Sequence, residues 1–475
     1  MSQHNGWIRR TKIVATLGPN ADKPGVLTKM IEAGVNVVRL NMSHGAYPEH
    51  ADRAKRARAA AEKLGRPLAV LLDLSGPKLR TGDIEEGEPP VLKAGASVLV
   101  CGGPGLVTAS RIPISIPVVL KGLRTGDRVL LDDGRIELAA ENAAKDGWNC
   151  RVRVGGKLKS HAGLNLPDSP LPIPSVTPKD LRDLAFGLRL GVEYVALSFV
   201  RQPKDLTGLR ARIGKRANAP LLIAKIEKPE ALGRLDGIVE AADGVMVARG
   251  DLGVECPPAE VPPAQKRILL AATDRGRLSI TATQMLESMV AAPRPTRAEA
   301  SDVANAVYDG TDAVMMSEET AVGAYPVESV RAMATIAARA EQSPYVRPVL
   351  PPTGGAELQL KAVLTAAVAA AQQVNARAIA IFTRSGRTAI YASKLRPSVP
   401  ILAVTPEVAT IRRLALAYGV TPIFAKFAPK PEALLARGEA ALLRSGHVRR
   451  GDELVLVFGR ALARGTEHSM KVHRL

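Results

Sequence analysis

A chain of 475 residues is longer than one ordinary domain, and its 46% hydrophobic and 23% charged residues are typical of a globular protein with two to four domains. No apolar run approaches the roughly 20 residues that span a bilayer, and the start MSQHNGWIRRTK lacks a signal peptide's apolar stretch, so no membrane partner is expected. The net charge of +19 indicates anionic partners or simply arginine on solvated faces, but the charge is dispersed and aromatic residues are only 3%, which argues against nucleic acid.

Short apolar runs alternate with helical patterns at the start of the chain and again from residue 194. The eight runs begin at Lys12, Asn36, Leu68, Tyr194, Leu221, Gly244, Leu278 and Asp312. Continuous apolar strands separated by helices are typical of a parallel sheet buried on both faces. Eight such units predict a (β/α)8 TIM barrel, an α/β fold whose active site lies at the C-terminal ends of the strands.

Residues 76–174 interrupt this alternation and divide the predicted barrel domain into residues 1–75 and 175–345. The segment is rich in Gly, Pro and Asp, contains β-like runs such as SVLVC and CRVRV, and has no convincing long helix. It is predicted to be a small β-barrel domain inserted after barrel strand 3. An insertion at the catalytic face is well placed to act as a lid.

A second α/β pattern begins at about Gln359, and residues 346–475 are predicted to form a separate α/β domain for regulation and oligomerisation. Its TRSGRT turn lies between a strand and a helix, where backbone N–H groups can hold an effector phosphate. An ordinary helix cap with Gly in the turn explains the same residues. The candidates for the phosphate are Thr383, Arg384, Ser385, Gly386, Arg387 and Thr388.

Charged side chains stand at the predicted C-terminal ends of neighbouring barrel strands. AKIE ends one strand with Lys225 and Glu227, and ARGD ends the next with Asp251. Residues two apart on a strand point to the same face, so these groups can share the barrel mouth. Two carboxylates with substrate and water oxygens suit octahedral Mg²⁺ or Mn²⁺, and an ammonium with a metal suits phosphoryl transfer. Two merely solvated carboxylates are the alternative.

Several motifs closely resemble those of the pyruvate kinase family over nearly the whole chain. They are RLNMSHG, DLSGPKLR, AKIEKPEA, MVARGDLGVE, ATQMLESM and RPTRAEASDVANAVYDGTDAVMMSEETAVGAYP. The resemblance implies a glycolytic enzyme that transfers the phosphoryl group of phosphoenolpyruvate to ADP with Mg²⁺ or Mn²⁺. It also implies a homotetramer whose C-terminal domain binds an effector, such as a sugar phosphate or nucleotide.

The resemblance also implies roles for individual residues. Glu227 and Asp251 match the metal ligands, and Lys225 matches the ammonium group that stabilises the phosphoryl group in flight. For substrate binding it implies Arg39 and the backbone N–H groups of Arg249, Gly250 and Asp251. For protonation of the enolate it implies Thr283, and we expect a water relay with Ser317 because a hydroxyl alone is a poor acid. For the nucleotide it implies Asn41, His44 and Arg80, the last as a phosphate-binding arginine.

Three residues of the DLSGPK segment depart from many family members, which carry Thr, Lys and Glu in place of Leu74, Ser75 and Lys78. Those members hold K⁺ with groups that match Asn41, Ser43, Asp73 and the carbonyl of Leu74. Because an ammonium is a compact single charge, Lys78 can take the place of the monovalent ion. We therefore predict that K⁺ is not required; the alternative is that Lys78 points to solvent and K⁺ still binds.

Other departures concern the nucleotide. HAGLNLP has Ala162 where the family usually has Lys, so a phosphate contact is missing or supplied by Lys159 or His161. Glu318 and Val322 replace a common Gly and a frequent Lys. Ala162 and Glu318 are the support for an alternative function, a catalytically weakened paralogue that binds metabolites as a regulatory protein. A metal-dependent aldolase barrel is a further alternative.

The three cysteines, Cys101, Cys150 and Cys256, are odd in number and lack the spacing of a metal site. This usage is typical of a reduced compartment, and we expect a cytoplasmic enzyme.

Overall fold

The computed structural model describes residues 9–85, 88–103, 105–170, 172–216, 218–346, 357–458 and 468–475. The predicted absence of a signal peptide depends on the start of the chain, of which residues 1–8 lie outside the described residues. The first part of the predicted C-terminal domain, after residue 346, also lies outside them.

Eight parallel strands close into a barrel in which neighbours along the chain pair and the last strand pairs with the first. They are Lys12–Thr16, Val37–Asn41, Ala69–Leu74, Tyr194–Leu197, Leu221–Ile226, Gly244–Ala248, Leu278–Ala282 and Ala313–Met316. Alternate residues such as Val14 and Met246 fill the interior, while neighbours such as Ile13 and Val245 pack against the surrounding helices. Burial on both faces explains the continuous apolar runs, and the TIM-barrel prediction is confirmed.

Helices cover the outside of the barrel. The longer ones are Val26–Ala33, Tyr47–Lys63, Pro178–Leu190, Pro203–Ile213, Leu235–Ala241, Val261–Asp274, Arg297–Tyr308 and Pro326–Glu341. Two of them begin with a reciprocal capping box, Thr177 with Asp180 and Thr296 with Glu299, which satisfies otherwise unpaired N–H groups. Three short helices follow strands 5, 6 and 8 at the C-terminal face: Pro229–Gly233, Arg249–Glu255 and Glu318–Ala321.

The segment after barrel strand 3 forms a β domain with its own core, which includes Val100, Leu138 and Val152. Its main sheet has six strands, in the order Leu164–Asn165, Arg128–Leu131, Ile136–Ala144, Gly147–Val154, Ser97–Cys101 and Arg111–Pro113. A smaller sheet pairs Val91–Leu92 with Gly156–Lys157. The predicted insertion after strand 3 is present. Residues 80 and 81 lie between the two outermost strands of the main sheet, because Arg80 bridges to Gly163 and Thr81 bridges to Ile114. These contacts span the gap between the two ends of the sheet, in agreement with the predicted small β-barrel.

The C-terminal domain has a five-stranded sheet with helices Leu358–Gln373, Arg387–Lys394, Val408–Arg413 and Pro431–Arg444. Its strands lie in the order Val420–Phe424, Ile401–Thr405, Ala378–Phe382, Glu453–Phe458 and Ser469–Arg474. The last strand is antiparallel to its neighbour and was not predicted. The remainder agrees with the predicted α/β domain.

A buried polar contact joins the C-terminal domain to the N-terminal end of the barrel. Asp312 precedes barrel strand 8, is fully buried, and forms ion pairs with Lys394 and Arg396 of the other domain. The Lys12 ammonium donates to the carbonyl of Val420 at 2.8 Å. The C-terminal domain therefore covers the end of the barrel opposite to the inserted domain.

Candidate active site

Lys225 stands at the centre of the charged groups at the C-terminal end of the barrel. Its Nζ lies 2.8 Å from Oε1 of Glu227 and 3.4 Å from Oδ1 of Asp73, and donates to Oγ of Ser198 at 2.7 Å. Burial acts to lower the pKa of Lys225, but the carboxylates of Asp73 and Glu227 outweigh burial and raise the pKa above its ordinary value. Lys225 is therefore a permanently charged ammonium with a restrained position.

Asp73 and Arg39 form a second buried pair beside Lys225. The guanidinium of Arg39 donates through Nε to Oδ2 of Asp73 at 2.7 Å, and its Nη1 donates to Thr16 at 3.0 Å. Burial acts to raise the pKa of Asp73, but Lys225 and Arg39 outweigh it and hold the pKa below its ordinary value. Both cations thus keep Asp73 ionised. In return, Asp73 and Thr16 hold the guanidinium group of Arg39 at the barrel mouth.

Glu227 is 1% exposed, and its Oε2 accepts the backbone N–H of Phe199 at 2.7 Å. Burial raises the pKa of Glu227 and the nearby Asp251 adds to the rise, against the opposing effect of Lys225. A carboxylate whose pKa is raised by burial and by a neighbouring carboxylate is stabilised by a bound cation. Asp251 is exposed and lies at the start of the short helix that follows strand 6.

These carboxylates fit a divalent metal ion. Oδ1 of Asp73 is buried without a hydrogen-bond partner, and Glu227 and Asp251 offer the oxygen ligands that Mg²⁺ and Mn²⁺ prefer. No group of three or more His, Cys, Asp or Glu with metal-site geometry occurs in the described part of the chain. A metal at this position would therefore take most of its ligands from water and substrate.

The loops after strands 6 and 7 are held together by Arg249 and Thr283. The Arg249 guanidinium donates to Oδ1 of Asp302 and to the carbonyl of Thr283, both at 2.7 Å. The N–H of Gly250 donates to Oγ1 of Thr283 at 2.6 Å, and that hydroxyl donates to the carbonyl of Ala282 at 2.6 Å. The structure thus brings Thr283 against the predicted substrate-binding N–H groups.

Ser317 lies at the end of strand 8, before the short helix that begins at Glu318. Its backbone N–H donates to Oε2 of Glu319 at 2.7 Å, and Glu319 also accepts from Leu286. Within the described residues Ser317 and Thr283 share no hydrogen bond, so a relay between them needs water.

The residues predicted for the nucleotide lie where the inserted domain faces the barrel. Arg80 lies near the start of the insert, and its Nη1 donates to the carbonyl of His161, near the end of the insert, at 2.8 Å. His44 lies close to Lys78 and Arg80, and partial desolvation and these cations lower its pKa. Oδ1 of Asn41 accepts the N–H of Ser43 at 3.2 Å, which shapes the loop between them.

The Lys78 side chain is exposed and forms no hydrogen bond or ion pair with any other residue that the structure describes, while its backbone N–H donates to the carbonyl of Gly76 at 3.0 Å. Its pKa is lowered, first by desolvation and then by Lys225, while Asp251 and Asp73 act in the opposite direction. The Lys78 ammonium is therefore within electrostatic reach of the charged cluster at the barrel mouth.

Ala162 and its neighbours have structural partners. Ala162 is 5% exposed and belongs to the core of the inserted domain. Nε2 of His161 lies 2.8 Å from Asp83, and Nζ of Lys159 lies 3.9 Å from Asp132. Neither side chain is therefore unpaired in this conformation.

The TRSGRT turn leads into the helix Arg387–Lys394, as predicted. Gly386 has a positive φ of 82° and donates its N–H to Oγ1 of Thr383 at 3.0 Å. Arg384 pairs with Glu407 at 3.2 Å and Arg387 with Glu357 at 3.0 Å. Thr388 is buried and Ser385 is exposed. The turn has the form of a capped helix start with two arginines held by acids.

Two functional residues of this site were not predicted from the sequence. Ser198 accepts the hydrogen bond of Lys225, and Phe199 donates its backbone N–H to Glu227. Both follow barrel strand 4, whose run YVALSFV was recognised as a strand. The signal that could have identified them is their position at a C-terminal strand end, where active-site residues of this fold lie.

The comparisons with known proteins agree with the motifs. The family model described as pyruvate kinase, barrel domain, matches residues 8–330, and that described as pyruvate kinase, alpha/beta domain, matches residues 361–473. A pyruvate kinase of Agrobacterium vitis is 42% identical over 470 residues, 98% of each chain. Pyruvate kinase 2 of Synechocystis is 43% identical over 455 residues, 95% of this chain and 76% of that one. The crystal structure of a pyruvate kinase from Cryptosporidium parvum superposes with a TM-score of 0.91 at 34% identity, covering 98% and 96% of the two chains.

Proposed function

The chain belongs to the pyruvate kinase family and is a phosphotransferase, and from this premise we propose that it transfers the phosphoryl group of phosphoenolpyruvate to ADP without requiring K⁺. The observation that carries the proposal is the buried cluster of Lys225, Asp73, Glu227 and Arg39 at the barrel mouth. Such a cluster binds and neutralises a moving phosphoryl group, which is what this reaction requires of a protein.

Lys225 and Arg39 bind the phosphoryl group in this proposal. Arg39 is held by Asp73 and presents a fixed fork suited to phosphate oxygens. Lys225 is charged at all physiological pH values because its pKa is raised, and it stabilises negative charge on the oxygen that the phosphoryl group leaves. Its three partners restrain it, so little reorganisation is needed during the reaction.

Glu227 and Asp251 would hold the divalent ion, and Asp251 would do so from the start of a helix. Enzymes of this family generally use Mg²⁺ and K⁺. When bound, a divalent ion would polarise substrate oxygens and neutralise their charge. The metal assignment is supported by the raised pKa of Glu227 and by the electrostatic interaction of this carboxylate with Asp251.

The substrate carboxylate would lie against the N–H groups of Arg249, Gly250 and Asp251. Because the N–H of Gly250 now donates to Thr283, substrate binding would exchange this partner and release the hydroxyl. The Thr283 proton is donated to the carbonyl of Ala282, which favours delivery of a proton to the enolate through water from the side of Ser317.

Lys78 would supply the positive charge that K⁺ supplies elsewhere in the family. Its electrostatic interaction with Asp73 and Asp251 supports this role, since a monovalent ion at the same place would interact with the same carboxylates. Replacing K⁺ by a bulky quaternary ammonium tests the proposal. Unchanged turnover is expected, and loss of nearly all activity would show that K⁺ is required.

We also propose residues 76–174 as a lid over ADP, with Asn41, His44 and Arg80 lining the nucleotide site. Arg80 already joins the barrel side of the lid to the segment around His161. The phosphate candidates of residues 383–388 would bind an effector in a homotetramer. Since Arg384 and Arg387 are paired with acids, a phosphate would have to displace Glu407 and Glu357.

A coupled assay that follows pyruvate formation from phosphoenolpyruvate and ADP tests the main proposal. Turnover dependent on Mg²⁺ or Mn²⁺ is expected. Absence of turnover would favour a metabolite-binding paralogue, and cleavage of aldol substrates would favour an aldolase. Adding sugar phosphates or nucleotides to the same assay tests the effector site, and mass measurement in solution tests the tetramer.

A further inference from the structure

Ser198 and Phe199 lie between the catalytic cluster and both chain segments that connect the lid to the barrel. The outgoing segment passes through Gly76, directly after barrel strand 3, and the return segment passes through Ser175, before the helix Pro178–Leu190. We call Gly76, Ser175, Asp180, Ser198 and Phe199 the hinge cluster.

On the active-site side, the hinge cluster contacts Lys225 and Glu227, two buried groups of the candidate site. Oγ of Ser198 accepts from Lys225 at 2.7 Å, and the N–H of Phe199 donates to Oε2 of Glu227 at 2.7 Å. A change in the charge around Glu227 therefore acts directly on the backbone of Phe199. Hydrogen bonds to a charged acceptor are stronger than neutral ones, so this bond responds to whatever else Glu227 binds.

On the lid side, the same residues contact both connecting segments. Oγ of Ser175 donates to the carbonyl of Phe199 at 2.9 Å. The Phe199 ring packs so closely on Gly76 that a Cβ there would lie 2.7 Å from Cδ2 of the ring. Gly76 also has a positive φ of 63°, so this position requires glycine both for its backbone and for its close contact.

Asp180 ties the two segments to each other. One carboxylate oxygen accepts the N–H of Gly76 at 3.0 Å, and the other accepts the N–H of Thr177 at 2.8 Å. Asp180 is fully buried, as are Ser175 and Ser198 at 2% exposure each. The outgoing and return segments thus meet at one carboxylate, and movement of either segment involves the other.

Phe199 has a left-handed backbone, with φ of 55°, although it is a bulky residue that rarely adopts this conformation. Such strain persists only where surrounding contacts enforce it. Here the enforcing contacts come from Glu227 on one side and from Ser175 and Gly76 on the other. Loosening either side favours relaxation of the backbone.

We propose that Phe199 is a positioning residue that couples metal binding at Glu227 to the position of the lid. The inference depends on the proposed function in one respect, the divalent metal at Glu227. A cation bound to the Glu227 carboxylate alters the hydrogen bond that this carboxylate accepts from the N–H of Phe199. The carbonyl and ring of Phe199 transmit this change to Ser175 and Gly76. Phe199 touches neither substrate nor metal in this proposal.

Amide hydrogen exchange of the whole protein, with Mn²⁺ as the probe, tests the coupling. In the native chain, Mn²⁺ is expected to change exchange in the peptides around Gly76 and Ser175 by about fivefold or more. Ser175→Ala removes the hydroxyl that donates to Phe199 and accepts a longer bond from Arg201 at 3.5 Å, and is expected to bind Mn²⁺ while losing this response. Binding of Mn²⁺ is measured separately by electron paramagnetic resonance.

Ser169→Ala is the matched control, because Ser169 is also buried, at 3% exposure, and donates one hydrogen bond, to Asp127 at 2.6 Å inside the lid. It is expected to keep the Mn²⁺ response. Phe199→Ala, which also removes the ring from Gly76, should lose the response; if it does not fold, Ser175→Ala alone decides.

The outcomes separate this inference from the proposed function. Mn²⁺ that binds the native chain without a response at the hinge overturns the coupling while the metal site stands. A full response in Ser175→Ala also overturns it. Failure of Mn²⁺ to bind at all overturns the metal site and the coupling together, and the separate assay of pyruvate formation then tells whether the proposed reaction survives.

Discussion

If K⁺ is not required, as proposed, Lys78→Glu is expected to create a requirement for K⁺. The substitution places at this position the carboxylate that many family members have, and removes an ammonium that interacts electrostatically with Asp73 and Asp251. It alters one exposed side chain that forms no hydrogen bond with any described residue, so the fold should be unaffected. A change in the requirement for K⁺ would therefore report on the charge alone.

The magnitude follows from the charges around the phosphate site. The cations are Arg39, Lys78, Arg80 and Lys225, and the carboxylates are Asp73, Glu227 and Asp251. With Lys78 the protein groups carry one excess positive charge; with Glu at position 78 they carry one excess negative charge. A unit charge about 6 Å from a phosphate, at an effective dielectric constant of about 20, contributes about 3 kcal/mol. The substitution changes two unit charges, but solvent screens the exposed residue 78, so we expect a net effect of about 3 kcal/mol, or roughly a hundredfold in rate.

Initial rates of pyruvate formation, with K⁺ or with a quaternary ammonium, measure the effect. Without K⁺ the variant should be slower than the native chain by about a hundredfold or more, and saturating K⁺ should restore the rate to within about tenfold. Lys93→Glu, an exposed lysine of the inserted domain, is the control for charge reversal and should change little. The reasoning is refuted if Lys78→Glu retains its K⁺-free rate, or if the native chain already needs K⁺.

Three further substitutions test the site and its support. Lys225→Met should lower kcat by about a hundredfold to a thousandfold while circular dichroism shows a native fold, since it removes charge stabilisation of the phosphoryl group; a kcat near the native value would contradict this role. Asp312→Ala leaves Lys394 buried without its counterion and should lower the free energy of unfolding, measured in urea, by about 3–5 kcal/mol. The control is Asp236→Ala, which removes a side chain that is 81% exposed and should change the free energy of unfolding by less than about 0.5 kcal/mol. Burial and Arg9 lower the pKa of Lys12 from 10.5 to about 8, so between these pH values the unfolded chain binds a proton that the native chain has lost. The free energy of unfolding of the native sequence, measured relative to Lys12→Met, should therefore rise by up to about 3 kcal/mol as the pH rises from about 8 to 10.5. A difference between the two proteins that does not vary with pH would contradict the shift.

The barrel could be predicted because each strand is buried on both faces. This leaves a continuous apolar run in the sequence, such as VVRLN or AVLLDL, with a polar residue at its C-terminal end. The last strand, Ser469–Arg474, escaped prediction because it lies at the edge of its sheet. There Met470 and Val472 remain 41% and 43% exposed, so the segment has no apolar run to recognise.

The candidate site was predictable to the extent that its residues lie at strand ends. Asp73 was assigned only to the monovalent cation, yet the structure pairs it with Lys225 and Arg39. The roles of Ser198 and Phe199 depend on contacts with Glu227 and Ser175, which come from other strands and loops. No local pattern records such contacts, because they exist only once the barrel has closed.

The insertion after strand 3 has a consequence for the order in which the chain folds. Barrel strands 3 and 4 lie side by side, with Leu74 opposite Leu197, although about a hundred residues separate them in the sequence. Closing so long a disordered loop costs conformational entropy before any contact is gained. The insert has its own core and brings Gly76 close to Thr177 through Asp180. Once the insert has folded, barrel strand 4 lies close to barrel strand 3. Barrel closure should therefore follow folding of the insert, and mutations in the core of the insert should slow refolding of the barrel.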